Sequence, residues 1–198
     1  LARFTFYEKV MNDPQLFLAL IGCTPPGRHT EQHDVFAGIG SSIGALVPAM
    51  QAFWPEAQGK LHLDAWRAVR QVDGYVVRLY PKGNAPEAGK ERLWFINLGG
   101  YQTGWFEELH YKMLLVASSK AEAVNKAKKT LFYKENNLPG GGESHIDDQW
   151  LMEADEVLQV AEMLPTADAA RWDIRLEPAT LPAADDLHIG YFKLSKLI

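Results

Sequence analysis

The chain has 198 residues, of which 47% are hydrophobic and 23% charged, with a formal net charge of -5 and a single cysteine. That length and balance fit one ordinary globular domain, or two small ones sharing a core. They exclude an internal disulfide framework, and the acidic balance speaks against a nucleic-acid surface, where Lys and Arg would cluster.

No apolar run has membrane-spanning length and no signal-peptide pattern stands at the start. A lone Cys23 suits a reducing compartment, so the expected location is cytoplasmic, with neither nucleic acid nor membrane as a partner. Leu1 to Val10 precede Met11 and read as an added strand or an appended segment. No function is placed on them.

Leu16 to Ile21 is apolar on both faces, which predicts a buried central strand ended by Gly22. Thr24-Pro25-Pro26-Gly27 reads as a loop, because two prolines withhold donors and fix the backbone. His33 to Ile39 predicts a second strand, antiparallel to the first across a short connection. Ser41 or Ser42 can cap a helix whose main part starts near Pro48, where the missing donor costs nothing, and Trp54-Pro55 closes it. Leu61 to Val69 and Gly74 to Tyr80 are two further extended segments.

Pro81 to Glu91 is a polar surface connection. Leu93 to Leu98 and Tyr111 to Ala117 then predict strands, and Ser119-Lys120-Ala121-Glu122 has capping-box spacing. Ala123, Ala127 and Leu131, with Val124 and Phe132 beside them, form the apolar stripe of a helix whose Lys126, Lys128 and Lys129 face water. Pro139-Gly140-Gly141-Gly142 ends that element. Asp155 to Met163 can be a strand or a helix, with the strand preferred, and Arg171 to Glu177 and Leu187 to Leu194 alternate as closing strands.

The two halves of this series are the same series. A shift of 77 positions, from 33 to 110, lays Leu93 on Leu16, Gly99 on Gly22, Glu108 on Glu31, His110 on His33 and Ser118-Ser119 on Ser41-Ser42. The expected class is α+β: a β-β-α-β unit present twice, over residues 16–80 and 93–164, with mainly antiparallel sheet and helices on one face. The copies are expected to relate by a pseudo-twofold within a single globular domain over 11–198, closed by the strands in 171–198.

Each copy carries two short polar motifs. Glu-x-His occurs as Glu31-Gln32-His33 and Glu108-Leu109-His110. His-x-Asp occurs as His62-Leu63-Asp64 and His145-Ile146-Asp147. Four of the six histidines fall in these motifs. Residues two apart in an extended chain point to one side, so each motif presents an imidazole beside a carboxylate. If both motifs of a copy converge, two imidazoles and two carboxylates meet, a set suited to a divalent metal or to acid-base work. Imidazole–carboxylate pairs also stitch loops together without any ligand, and a duplicated structural need would persist in both copies. The metal candidates are Glu108, His110, His145 and Asp147, or their equivalents in the first copy. Their spacing lacks the signature of a zinc ribbon.

Three further features have simpler readings. Gly38-Ile39-Gly40-Ser41-Ser42-Ile43-Gly44 resembles a dinucleotide fingerprint, yet Leu115, Ala117 and Ala121 stand at the matching glycine positions of the second copy. Cys23 near His29 and His33 could be a thiol nucleophile, but its counterpart is Gly100, and a small buried residue accounts for it. Of the six tryptophans, Trp105 beside Glu108 is the one suited to a pocket wall, and the others are core candidates.

With those residues in view the chain resembles the bacterial domain-of-unknown-function family 1543. The resemblance rests on Gly27-Arg28-His29-Thr30-Glu31-Gln32-His33-Asp34-Val35-Phe36, Ala52-Phe53-Trp54-Pro55-Glu56, Ile96-Asn97-Leu98-Gly99-Gly100-Tyr101, Glu143-Ser144-His145-Ile146-Asp147-Asp148 and Leu187-His188-Ile189-Gly190-Tyr191. It implies a cytoplasmic bacterial protein and brings no catalytic residue or cofactor with it. The expected function is a binding or interaction module built on the duplicated His/carboxylate loops, with self-association through the pseudo-symmetry. The alternative is a metal-assisted hydrolase, and the remote one a dinucleotide binder at Gly38 to Gly44.

Overall fold

The computed structural model describes residues 13–130, 157–181 and 183–197, together with the backbone of 145–146. It is α+β, with mostly antiparallel sheet and few helices. The chain divides into two compact units, residues 1–85 with 163–198, and residues 86–162.

In the first unit β1 (Gln15–Cys23), β2 (Gln32–Gly40), β3 (His62–Ala68) and β11 (His188–Lys193) form a sheet in the order β11-β3-β1-β2. β1 is an inner strand, and Leu16 and Gly22 on its second face are buried too, which fits a strand apolar on both faces. Phe17, Ala19, Ile21 and Cys23 point to one face, where Phe36, Leu63, Leu46, Val47 and Met50 complete a buried core. The helix that covers this face, α1 (Val47–Phe53), has Pro48 in its first turn. It starts where the sequence predicts, because an early helical amide has no intrahelical partner to lose. Ser42 caps the short 3-10 turn before it, its hydroxyl accepting from the Ala45 amide at 3.2 Å.

A second sheet in this unit orders β10 (Trp172–Pro178), β5 (Tyr75–Pro81) and β4 (Gln71–Val72). The β4–β5 hairpin turns on Asp73 and Gly74, both at positive φ (50° and 79°). An Asp-Gly pair is favoured there because both central residues of this turn are left-handed. The two closing strands serve different sheets: β10 pairs with β5, and β11 with β3.

In the second unit β6 (Arg92–Gly100) is central, with β7 (Leu109–Ala117) on one side and β8 (His145–Ile146) and β9 (Val157–Gln159) on the other. Trp94, Ile96, Leu98, Leu115 and Ala117 pack against Ala123 and Ala127 of α2 (Lys120–Ala127). Ser119 Oγ accepts from the Glu122 amide at 3.2 Å. Glu122 bonds back to the amide and hydroxyl of Ser118 rather than to Ser119, at 2.9 and 2.6 Å. Its carboxyl is thereby held down to about 2. Lys126, expected to face only water, also donates to the Val116 carbonyl and pairs with Glu122.

Two expectations are corrected. Gly22 does not end its strand: β1 runs through it to Cys23. The predicted strand over 155–163 is a strand only over Val157–Gln159 and continues as a 3-10 turn over Val160–Glu162. Leu131, Phe132, the triple glycine at 140–142, Asp147 and Trp150 lie outside the described residues. No helix among the described residues is long and apolar enough to cross a membrane.

The β1–β2 ladder runs from Gln15↔Gly40 to Cys23↔Gln32, and the β6–β7 ladder from Arg92↔Ala117 to Gly100↔Leu109. Every partner in the second is the matching partner in the first moved by 77 positions, as from 23 to 100. Across the central strand, Gly22 faces His62 and Gly99 faces His145.

Candidate functional site

Gly22 lies directly opposite His33 on β2 and opposite His62 on β3. Residues paired across a ladder share a face, so the two imidazoles rise on either side of a position with no side chain. The space above Gly22 is filled by its neighbours. A Cβ there would lie 2.8 Å from Asp64 Oδ2, 2.8 Å from His62 Nε2 and 3.0 Å from His33 Cδ2. Glycine is required by crowding here, not by backbone conformation.

Asp64 reaches this place through a bulge. The β1–β3 pairing passes from Leu20↔Ala65 to Ile21↔Leu63, leaving Asp64 as the extra residue on β3. A bulge re-aims the side chain it frees. Glu31, one residue ahead of β2, comes in from the loop. Both motifs of the first copy therefore meet. His33 Nε2 lies 3.5 Å from Glu31 Oε2 and 3.1 Å from Asp64 Oδ2. His62 Nε2 lies 3.1 Å from Glu31 Oε1 and 3.3 Å from Asp64 Oδ1. Each imidazole touches both carboxylates.

The four groups differ in exposure. The His62 side chain is 5% exposed, whereas those of His33 and Glu31 are 40% and 44% exposed. Tyr191 of β11 lies against the His62 ring, centroid to centroid at 4.4 Å, and His188 stacks on Trp66 at 3.7 Å. The corner thus has a closed end at His62 and an open end at His33. His62 Nε2 and Asp64 Oδ2 are buried atoms with no hydrogen-bond partner, so the short contacts between imidazole and carboxylate lack hydrogen-bond alignment. An unsatisfied buried polar atom is costly, commonly about 1–3 kcal/mol. Among the described residues, no group of three or more His, Cys, Asp or Glu side chains is placed to hold a metal ion.

In the second unit Glu108 Oε2 and His110 Nε2 are 3.9 Å apart. His145 is present as backbone paired with Gly99, and Asp147 lies outside the described residues. Trp105, the suggested pocket wall, is exposed in the turn between β6 and β7, and Phe106 beside it is fully exposed.

The other candidates resolve differently. Gly38 and Gly40 lie within β2, where a Cβ would meet the Phe36 ring at 2.7 Å and Leu46 Cδ2 at 3.0 Å respectively. They make room for the core under α1, and β2 runs antiparallel to β1, unlike the parallel unit a dinucleotide fingerprint needs. Cys23 is buried on the helix-covered face. Burial, and then the negative charge of Glu31, push its thiol up, the opposite of an activated nucleophile.

One feature had no advance signal. Pro25, Arg28, Asp34, Trp54 and Glu56 help line a depression of about 660 Å³. Its charged residues are all exposed, so no desolvated group marks it as the better site.

Among solved structures the chain is similar to the crystal structure of a protein Il1583 from Idiomarina loihiensis. The two are 24% identical with a TM-score of 0.52, covering 92% of this chain and 98% of that one, a likeness that speaks for the fold alone. No curated protein matches the chain. Residues 28–79, the stretch that contains Glu31, His33, His62 and Asp64, match the family model described as Domain of Unknown Function (DUF1543).

Proposed function

We propose that this protein is a binding module whose ligand is taken at the Glu31–His33–His62–Asp64 corner of the first unit. The observation that carries this reading is the convergence of four polar groups over Gly22 with His62 Nε2 buried and unsatisfied. A corner kept only to stitch loops would satisfy its buried atoms internally. The matched ladders of the two hairpins further support an internally duplicated β-β-α-β architecture, with a related corner at Glu108 and His110. Self-association fits the same reading, since β11 ends its sheet and carries exposed Ile189 and Tyr191.

A second reading, a metal-assisted hydrolase, draws on the exposure of His33 and Glu31, which leaves room for a substrate at the open end. Hydrolysis of nitrophenyl acetate or phosphate by zinc-supplemented protein, abolished in His33→Gln, is its expected signature.

Two measurements test the binding reading. Histidine side-chain NMR signals are followed while zinc, magnesium, acetate or methylammonium is added. Shifts at His33 and His62 with at least one probe, absent in Gly22→Ala, are expected. Separately, the Glu31→Gln, His33→Gln double variant is unfolded in chelator. A binding corner is dispensable for folding, so the loss should stay under about 1 kcal/mol, as for exposed ion pairs. Silent histidines together with a loss of several kcal/mol would mean that the corner is a structural stitch.

A further inference from the structure

We infer that the first unit holds a second binding site, a trough between its two sheets that takes a carboxylate carried on an apolar chain, with Arg70 as the group that receives the carboxylate. The trough shares no residue with the Glu31–His33–His62–Asp64 corner and goes beyond the reading given for it.

Strand pairing accounts for the apolar wall. In the β5–β10 ladder Val77 stands opposite Leu176, Leu79 opposite Ile174 and Pro81 opposite Trp172, so these side chains share one face. That face is apolar, yet Val77, Leu79, Trp172, Ile174 and Leu176 are each only half-buried. Arg78, between Val77 and Leu79, turns to the other face and pairs with Glu177 at 3.3 Å. Where the apolar face meets the start of β1, Leu16, Val69, Val77, Leu79 and Trp172 line a cavity of about 930 Å³. Leu16 and Val69 are buried and close its floor. Small-molecule sites are commonly of this kind, mostly apolar with a few polar groups to fix orientation.

Arg70, on the rim of the same cavity, supplies the polar group. Its Nε donates to Gln15 Oε1 at 3.0 Å, which sets the direction of the side chain. Its backbone amide donates to the Asp185 carboxylate at 3.1 Å, which anchors the chain beneath it. Among the described residues no carboxylate forms an ion pair with the guanidinium, and Asp13 on the same rim is exposed. The two terminal nitrogens therefore keep a planar fork, and that fork matches both oxygens of one carboxylate. Arg78 is already engaged by Glu177, which leaves one unpaired cation at the trough. One cation beside an apolar wall is the complement of a singly charged head on an apolar chain. A more highly charged phosphate head would call for a second cation.

The test titrates the tag-free full chain with decanoate, kept below its micelle-forming concentration, by calorimetry and by the indole N–H signals of NMR spectra. The expected result is an equivalent of decanoate bound, with a shift of the Trp172 signal, which Trp172→Phe identifies by removing it. Octanoate should bind about tenfold more weakly, because it buries less of its chain. Decanol leaves the guanidinium unpaired and should also bind more weakly, by about tenfold or more. Arg70→Gln should bring decanoate down to the level of decanol, and His33→Gln should change nothing. If Arg70→Gln does not fold, decanoate against decanol on the wild type decides alone. No uptake of decanoate, decanol bound as tightly, uptake that Arg70→Gln leaves intact, or uptake that His33→Gln removes overturns the inference. Failure of the trough leaves the corner to its own test.

Discussion

The central hairpins of the two units share one register, and the described imidazole–carboxylate contacts beside them differ. In each, a glycine on the central strand faces a histidine on either side, within hairpins of identical register. In the first, β3 is continuous from His62 to Ala68, its bulge delivers Asp64, and β11 lays Tyr191 on the His62 ring. The imidazole–carboxylate contacts there close to between 3.1 and 3.5 Å. In the second, two short strands, β8 and β9, pair with the central strand, and Glu108 stands 3.9 Å from His110. A ladder can bring the right residues to one face. Drawing them into contact depends on the strand beside them and on what leans on it.

The units also seat their helices differently, and the largest expected effect breaks that contrast. The first fills the space beneath α1 with fully buried Met50, the second brings α2 close through Ala123 and Ala127. Met50→Ala should cost about 2–5 kcal/mol in equilibrium urea unfolding, because a cavity replaces a long side chain. Next is Gly22→Ala, whose new methyl meets Asp64 and His62 at 2.8 Å. Overpacking of that kind costs about 1–3 kcal/mol, and the His62 and Asp64 signals should move in NMR spectra of the variant.

Ser119→Ala removes the N-cap of α2 and should cost about 1 kcal/mol. Ser42→Ala should cost less, since Ser42 caps only a 3-10 turn. The smallest effect sharpens the comparison by pH. Hydrogen bonds from Ser118 hold the Glu122 carboxyl at about 2, below its ordinary 4.5. A carboxyl depressed in the folded state stabilises it above its unfolded value, and that contribution is lost as pH falls from 4.5 through about 2. The advantage of wild type over Glu122→Gln, measured by thermal unfolding, should therefore be present at pH 6 and vanish by pH 2.

Much of this was legible because local chemistry dictates it. The apolar run of β1, Pro48 in the first turn of α1 and the Ser119 cap each follow from a rule about neighbouring residues. The spacing within Glu31-x-His33 and within His62-x-Asp64 put each imidazole beside a carboxylate. Two points were not. Gly22 read as a strand end because glycine usually interrupts, whereas crowding from three side chains distant in sequence keeps it inside the ladder. The Asp73-Gly74 dipeptide signals a hairpin, but not that the hairpin joins β10 in a sheet separate from β1.

Sequence alone determined where the main strands and helices lie and which residue types stand in each polar motif, because periodicity and capping act within a few residues. Only the tertiary structure decided that Asp64 swings out on a bulge, that Tyr191 closes over His62, and that the four groups of the first corner touch. Those outcomes depend on register between strands far apart in the chain. Register is settled by packing whole faces against one another, which no local pattern encodes.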